Sequence, residues 1–222
     1  KVVEGLTTQA DFSHKLEYGN LWHVAEEAHS KFLAATTGGP SGKGDPLTKA
    51  LRPTTWQEAL KAYAIKLCNT YRHRQEQVDN WYNVAKVQFP IYLDFWARHR
   101  DPFSQSVRRP ILSEQVFSVP YKLFSGRTVY LRGKWDGVDL IGEGKTRALY
   151  LREHKTKGDI REEQLKRQLG MDLQVMLYLT ALTTLKSYAE TGTDLSTIPT
   201  PEHWGNIPGM ELPVSGVLYN VI

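Results

Sequence analysis

The hydrophobic period of this chain switches from helical to alternating near residue 110, and the switch restricts the folds open to it. Upstream, apolar residues recur at helical spacing. Leu21, Trp22, Ala25, Ala28 and Phe32 define a helix over about 13–33. Its His23, Glu26, Glu27 and Ser30 form a polar stripe at i, i+3, i+4 and i+7. A stretch rich in Gly, Pro, Ser and Thr, 36–53, reads as a loop. Trp56, Ala59, Leu60, Tyr63, Leu67 and Tyr71 predict a second helix over 55–77, with Glu58 three residues after Thr55 in capping-box spacing. A third helical stretch, 78–98, contains Pro90, which is expected to kink or break it.

Downstream the period is two. Residues 114–121 alternate, with Val116 on one side and Phe117 and Val119 on the other. Residues 128–141 and 148–155 read as further strands, joined by a turn at Gly142-Glu143-Gly144. After Gly158 helical spacing returns as far as about Tyr188, with Leu165, Leu169, Leu173, Met176, Leu177 and Leu182 as its expected apolar side. A Thr- and Pro-rich loop, 191–213, leads to a last strand, 214–222. Helices, three strands, a helix and a strand make a mixed α/β core with a helical extension at its front. For 222 residues that are 41% hydrophobic and 23% charged, one domain is expected, 1–222, with a helical part over about 13–100 and a core over about 110–222.

The third strand carries the first chemical signal. Leu149, Leu151, Glu153 and Lys155 share one of its faces. The leucines turn that face to the core, so a carboxylate and an ammonium emerge together where the strand leaves it. Either charge there needs a partner or a metal. Gly133-Lys134-Trp135-Asp136-Gly137 puts an acid on the preceding strand. In a hairpin Asp136 and Glu153 converge, and two hard carboxylates on adjacent strands suit Mg²⁺ or Mn²⁺. Asp139 is the competing acid, its alternative being a plain turn residue. By alternation the His154 side chain points away from Glu153. Gln174 and Tyr178, four apart, share a face of the following helix, which Arg167 and Met171 extend. Each signal alone also has a bland reading: a same-face salt bridge for Glu153 and Lys155, a satisfied helix glutamine for Gln174.

Gly133-Lys134-Trp135-Asp136, Glu153-His154-Lys155-Thr156 and Gln174-x-x-x-Tyr178, in this order and on these elements, resemble the PD-(D/E)xK nuclease superfamily. More narrowly they resemble its RecB-like exonuclease branch, in which a front-helix histidine follows a glycine, as His23 follows Gly19 here. Trp135 stands in place of the motif's proline. The resemblance implies a restriction-endonuclease-like mixed β-sheet flanked by helices. It implies a metal-dependent deoxyribonuclease, in particular an exonuclease of recombination, repair or phage DNA metabolism. It also implies one or two Mg²⁺ or Mn²⁺ ions held by Asp136, Glu153, the backbone carbonyl of His154 and His23. Lys155 would orient or deprotonate the attacking water, and Gln174 would position Lys155, the water or the scissile strand. Tyr178 would pack or touch the nucleic-acid backbone. Glu114 matches an acid that many members keep before the first core strand, and Glu27 is a candidate to fix the His23 tautomer. The alternative on the same fold is a nucleic-acid-binding module that does not cut, which the intact Asp136, Glu153 and Lys155 argue against.

Charge agrees with a polyanionic partner. The chain carries a formal +4. Between Arg98 and Lys134 the basic residues Arg98, Arg100, Arg108, Arg109, Lys122, Arg127, Arg132 and Lys134 outnumber the acids Asp101 and Glu114. With Lys157, Arg161, Lys166 and Arg167 they are expected to follow the phosphates of single- or double-stranded DNA, or else to form a solvated surface. Trp81, Trp96 and Trp135 would stack on bases only if exposed. Cys68 is the sole cysteine, so there is no disulfide framework and no four-cysteine iron–sulfur cluster. The resemblance is therefore to cluster-free members of phage or bacterial type. One cysteine, no signal peptide and no membrane-length apolar run suit the cytoplasm of a bacterial or phage-infected cell. A recombinase, helicase or single-strand-binding protein is the protein partner to expect there. Opening on Lys1 and closing inside a strand-like run at Ile222, the chain reads as a piece of a longer protein.

Overall fold

The computed structural model describes residues 12–36, 54–98, 108–155, 163, 167, 169–170, 172–192 and 212–221. Three helices lead: α1 (His14–Thr36), α2 (Trp56–Thr70) and α3 (Gln75–Arg98). Strands β1 (Arg108–Lys122), β2 (Thr128–Ile141) and β3 (Ala148–Lys155) follow, with a 3-10 turn at Gly144–Thr146 before β3. Helix α4 (Leu173–Glu190) and strand β4 (Val214–Val221) complete the order. Among the described residues, no helix is long and apolar enough to cross a membrane.

The strands form one mixed sheet in the order β1-β2-β3-β4, antiparallel except for the parallel pair β3/β4. Strands β2 and β3 occupy the expected residues, whereas β1 begins six residues earlier than its alternation indicated. Pro110 and a register shift between Pro110 and Leu112 hide the period there. The odd residues of β3 behave as expected. Leu149 and Leu151 join Phe117, Val119, Trp135, Val138 and Leu140 in a core closed by Val175, Ala181, Leu182 and Leu185 of α4.

The helices depart from expectation at three points. Thr55 and Glu58 do form the capping box of α2, but the break before α3 falls at residues 71–74 rather than at 77. Tyr71 fixes it there: its ring is buried and its hydroxyl donates to Glu17 Oε1 of α1 at 2.7 Å. Pro90 stays inside α3. Both Pro90 and Lys86, whose carbonyl loses its helical partner, lie on the exposed side, where the carbonyl is open to solvent. In α4 part of the expected apolar side is turned outward, Leu173 being 77% and Met176 54% exposed, while Leu182 is buried as expected. The helix begins only at Leu173, capped by Asp172, and Val175, Tyr178, Leu179, Leu182 and Leu185 meet the sheet instead. Leu165 lies outside the described residues.

One face of α1 buries Leu21, Trp22 and Ala25 against α2 and α3. The polar stripe of α1 faces the sheet. Glu26 and Ser30 are buried on Arg152 of β3, with Arg152 Nη1 donating to Glu26 Oε1 at 2.6 Å and Nη2 to Ser30 Oγ at 3.0 Å. Asp139, expected as a turn residue or a rival ligand, is fully buried 3.1 Å from Arg152 Nε. Arg108 completes this cluster, 3.3 Å from Glu26 and 3.6 Å from Asp139, and so leaves the basic surface to which it was assigned. A buried guanidinium requires such partners, because unpaired charge in the interior is costly.

Candidate metal centre

Trp135 and Val138 both belong to the core beneath α4, although residues three apart on a regular strand face opposite ways. The alternation therefore reverses between Trp135 and Val138, the stretch that holds Asp136. There Asp136 Oδ2 accepts the backbone N–H of His154 at 2.8 Å. The N–H and C=O of an extended residue leave by the same strand edge, so the His154 carbonyl borders the same space. Gly137 is obligatory there, since a Cβ would stand 2.5 Å from Arg152 Nη2. Across β1, Glu114 adopts a left-handed backbone (φ 52°) that turns its carboxylate toward Asp136.

Helix α1 brings His23 to the same place. Its Nδ1 lies 3.2 Å from Glu114 Oε1 and 3.9 Å from Asp136 Oδ1. Ligand atoms of His23, Glu114 and Asp136 all fall within 4.8 Å of one another. Lys134, expected to meet phosphate, is ion-paired with the other oxygen of Glu114. Burial alone would lower the His23 pKa, but the hydrogen bond to Glu114 and the charge of Asp136 outweigh it and raise it. Burial would raise Glu114, but His23 and Lys134 hold it below the usual range. Asp136 is raised, by burial first and by Glu114 against the opposing pull of His23.

Glu153 and Lys155 reach this end of the sheet from the α4 side. Lys155 Nζ donates to Glu153 Oε1 at 2.8 Å and lies 3.5 Å from Asp172 Oδ2. Burial opposes the ammonium, yet Glu153 and Asp172 raise its pKa. Burial and the nearby charge of Asp136 raise Glu153. Glu153 Oε2 is buried and takes no hydrogen bond among the described residues. The His154 ring turns to the opposite face, 3.0 Å from Arg152 Nη1 and 2.9 Å from Asn220 Nδ2. Burial and the Arg152 charge keep it neutral.

The remaining expected residues are less central. Gln174 is exposed and donates to Tyr178 Oη at 3.1 Å rather than to Lys155. The Tyr178 ring packs edge-on to Phe117, over Gly133, where a Cβ would be 2.6 Å from it. Glu27 pairs with Lys31, so it does not orient His23; Glu114 does. Arg132 is exposed above the Tyr130 ring, Arg167 is exposed, and Arg98 pairs with Asp94. Trp135 is fully buried. Lys157, Arg161 and Lys166 lie outside the described residues.

Glu114, which the resemblance marks only as an acid before the first core strand, lies in the cluster itself, because strand alternation gives no hint of the left-handed turn. Asp172 was missed altogether. Its signal was an Asp directly before a helical run, the pattern of an N-cap, obscured by reading the helix as continuous from Gly158. The donor set of one imidazole and several carboxylates suits a divalent ion of the Mg²⁺ or Mn²⁺ type, and the orphaned Glu153 Oε2 is an acceptor awaiting positive charge.

The comparisons agree with this chemistry. No curated protein matches the chain significantly. The family model of the PD-(D/E)XK nuclease superfamily matches residues 1–204, nearly the whole chain. Its members are nucleases that generally use divalent metals, and the mixed four-stranded sheet between helices is consistent with their restriction-endonuclease-like α/β plan. Two acids of the sheet and a histidine of the front helix thus come together in a chain that belongs to the PD-(D/E)XK nuclease superfamily.

Proposed function

We propose that this chain is a Mg²⁺- or Mn²⁺-dependent deoxyribonuclease of the RecB-like branch, working as an exonuclease in recombination, repair or phage DNA metabolism. The observation that carries the reading is the approach of His23, Glu114 and Asp136 to one point beside a buried Glu153 with a free oxygen. The Gly19-to-His23 spacing and Gln174-x-x-x-Tyr178 favour that branch. Residues 1–222 act as one domain, since the front helix and the sheet both supply the site.

His23, Glu114, Asp136, Glu153 and the His154 carbonyl would hold the metal. A bound divalent ion supplies an acidified water and neutralises charge at the scissile phosphate. The residues set the rest. The His154 N–H keeps Asp136 aimed. Lys155, its pKa raised between Glu153 and Asp172, remains an ammonium at neutral pH. It therefore orients the water and steadies negative charge on the phosphoryl oxygens rather than serving as the base. Arg132, Lys134 and Arg167 offer positive charge to the DNA backbone. A helicase, recombinase or single-strand-binding protein is the partner class that would present the DNA end.

The test is cleavage of linear single- and double-stranded DNA with Mg²⁺, Mn²⁺ or EDTA. Asp136→Ala and Lys155→Ala should abolish cutting while DNA binding persists. Wild-type cutting that survives EDTA refutes the metal mechanism, and ready cutting of closed circular DNA refutes the exonuclease mode.

A further inference from the structure

The cluster beneath the centre has no evident part in the chemistry, and a buried ionic cluster is a poor way to gain stability. Glu26, Arg152 and Asp139 are each almost completely buried, and together with Arg108 they are electrically balanced. Their placement gives them another use. Glu26 stands three residues after His23 on α1, and Ser30 seven after it, so all three project from one side of the helix. Glu26 and Ser30 both grip the single guanidinium of Arg152, two residues before the His154 backbone that aims Asp136. The His154 ring, 3.0 Å from Arg152 Nη1, meets the His23 ring edge-on with centroids 5.7 Å apart.

We propose that the Glu26–Arg152–Ser30 clamp is a positioning device for the metal centre: it fixes the rotation and height of α1 on the sheet so that His23 faces Glu114 and Asp136. An apolar seam would hold α1 as well, but its attraction is non-directional. A forked guanidinium with one partner on each of two successive turns fixes a single setting. Glu26, Arg152 and Ser30 do not touch the metal position themselves; they act through His23. The inference rests on the metal-centre reading above.

The test is Mn²⁺ affinity, measured by electron paramagnetic resonance on the whole chain, with no turnover required. Glu26→Asp keeps the charge balance but shortens the reach to Arg152 by one methylene. It should weaken Mn²⁺ binding about tenfold. In a His23→Ala background the same change should have no further effect, because a residue acting through His23 has nothing left to act on. Ser30→Ala, which removes one neutral hydrogen bond, should show the same pattern at about threefold, and it serves if Glu26→Asp does not fold. Equal losses with and without His23, or no loss in either variant, overturn the clamp alone. Mn²⁺ affinity unchanged by His23→Ala itself removes His23 from the centre, and the clamp's role with it.

Discussion

Gly137 leaves the room that the buried clamp occupies, and its substitution has a calculable effect. In Gly137→Ala the new methyl would lie 2.5 Å from Arg152 Nη2, 2.7 Å from Nε and 2.8 Å from Cζ. All three are far inside the ordinary contact distance. An exposed side chain would swing aside. Arg152 is fully buried and held by Glu26, Ser30 and Asp139, so moving it breaks those bonds. Overpacking a core costs about 1–3 kcal/mol, and breaking a buried ion pair about 3–5 kcal/mol. A loss of about 3 kcal/mol is expected, a large share of the roughly 5–15 kcal/mol that holds a domain together. With a urea m-value of about 2–3 kcal/mol/M, the unfolding midpoint should fall by about 1 M. Gly170→Ala is the control: its backbone is helical and nothing lies within 4 Å of the added methyl. Alanine there should be neutral or stabilising by up to about 1 kcal/mol. A Gly137→Ala midpoint within about 0.3 M of wild type, followed by circular dichroism, would refute the rigid-clamp account.

Three further outcomes can be checked. Asp172→Asn preserves the helix cap but removes a charge 3.5 Å from Lys155 Nζ; the alkaline limb of the pH–rate profile should move to lower pH and the rate should fall about tenfold or more, and an unmoved limb would exclude Asp172 from holding Lys155. In metal-free protein, Glu114→Ala should lower the His23 pKa seen by NMR, because Glu114 helps to raise it; in wild type, Mn²⁺ affinity should weaken as pH falls through that pKa, since proton and ion compete for the ring. His154 is held neutral in the folded state, with a pKa well below that of the unfolded chain. Above about pH 6.5 it is neutral in both states and contributes no pH dependence. Below that, only the unfolded chain takes up the proton, so stability should fall by up to about 1.4 kcal/mol per pH unit from this residue until the depressed folded pKa is reached. The difference in urea stability between wild type and His154→Gln, followed from pH 7 to pH 5, should shrink as the pH drops; a constant difference would contradict the buried neutral ring.

The strands that carry the chemistry were legible because they obey simple alternation. Leu149 and Leu151 declared the core face, and Glu153 and Lys155 followed from it. What stayed hidden lies where the period fails. Glu114 needs a left-handed backbone, which leaves no mark in hydropathy, whereas Asp136 was legible from its place between Trp135 and Gly137 on the strand before Glu153. The buried face of α4 was misjudged because Leu173, Met176 and Leu177 carry the right residue type on the wrong side. Arg108, Arg152 and Asp139 were hidden for the opposite reason. Charged residues read as surface, and only the facing Glu26 and Ser30 of a distant helix make their burial tolerable.

His23 meets Glu114 at the sheet's end across 91 residues of chain, and in the clamp below it Glu26 meets Arg152 across 126. Contacts of such separation close late in folding, after local turns and helices have formed. A ribosome-bound or half-folded copy would possess the Glu-x-Lys strand and its lysine but no gathered ligands, and so would leave nearby nucleic acid intact. If the proposed function holds, cleavage would thus be withheld until the front helix has docked on the sheet.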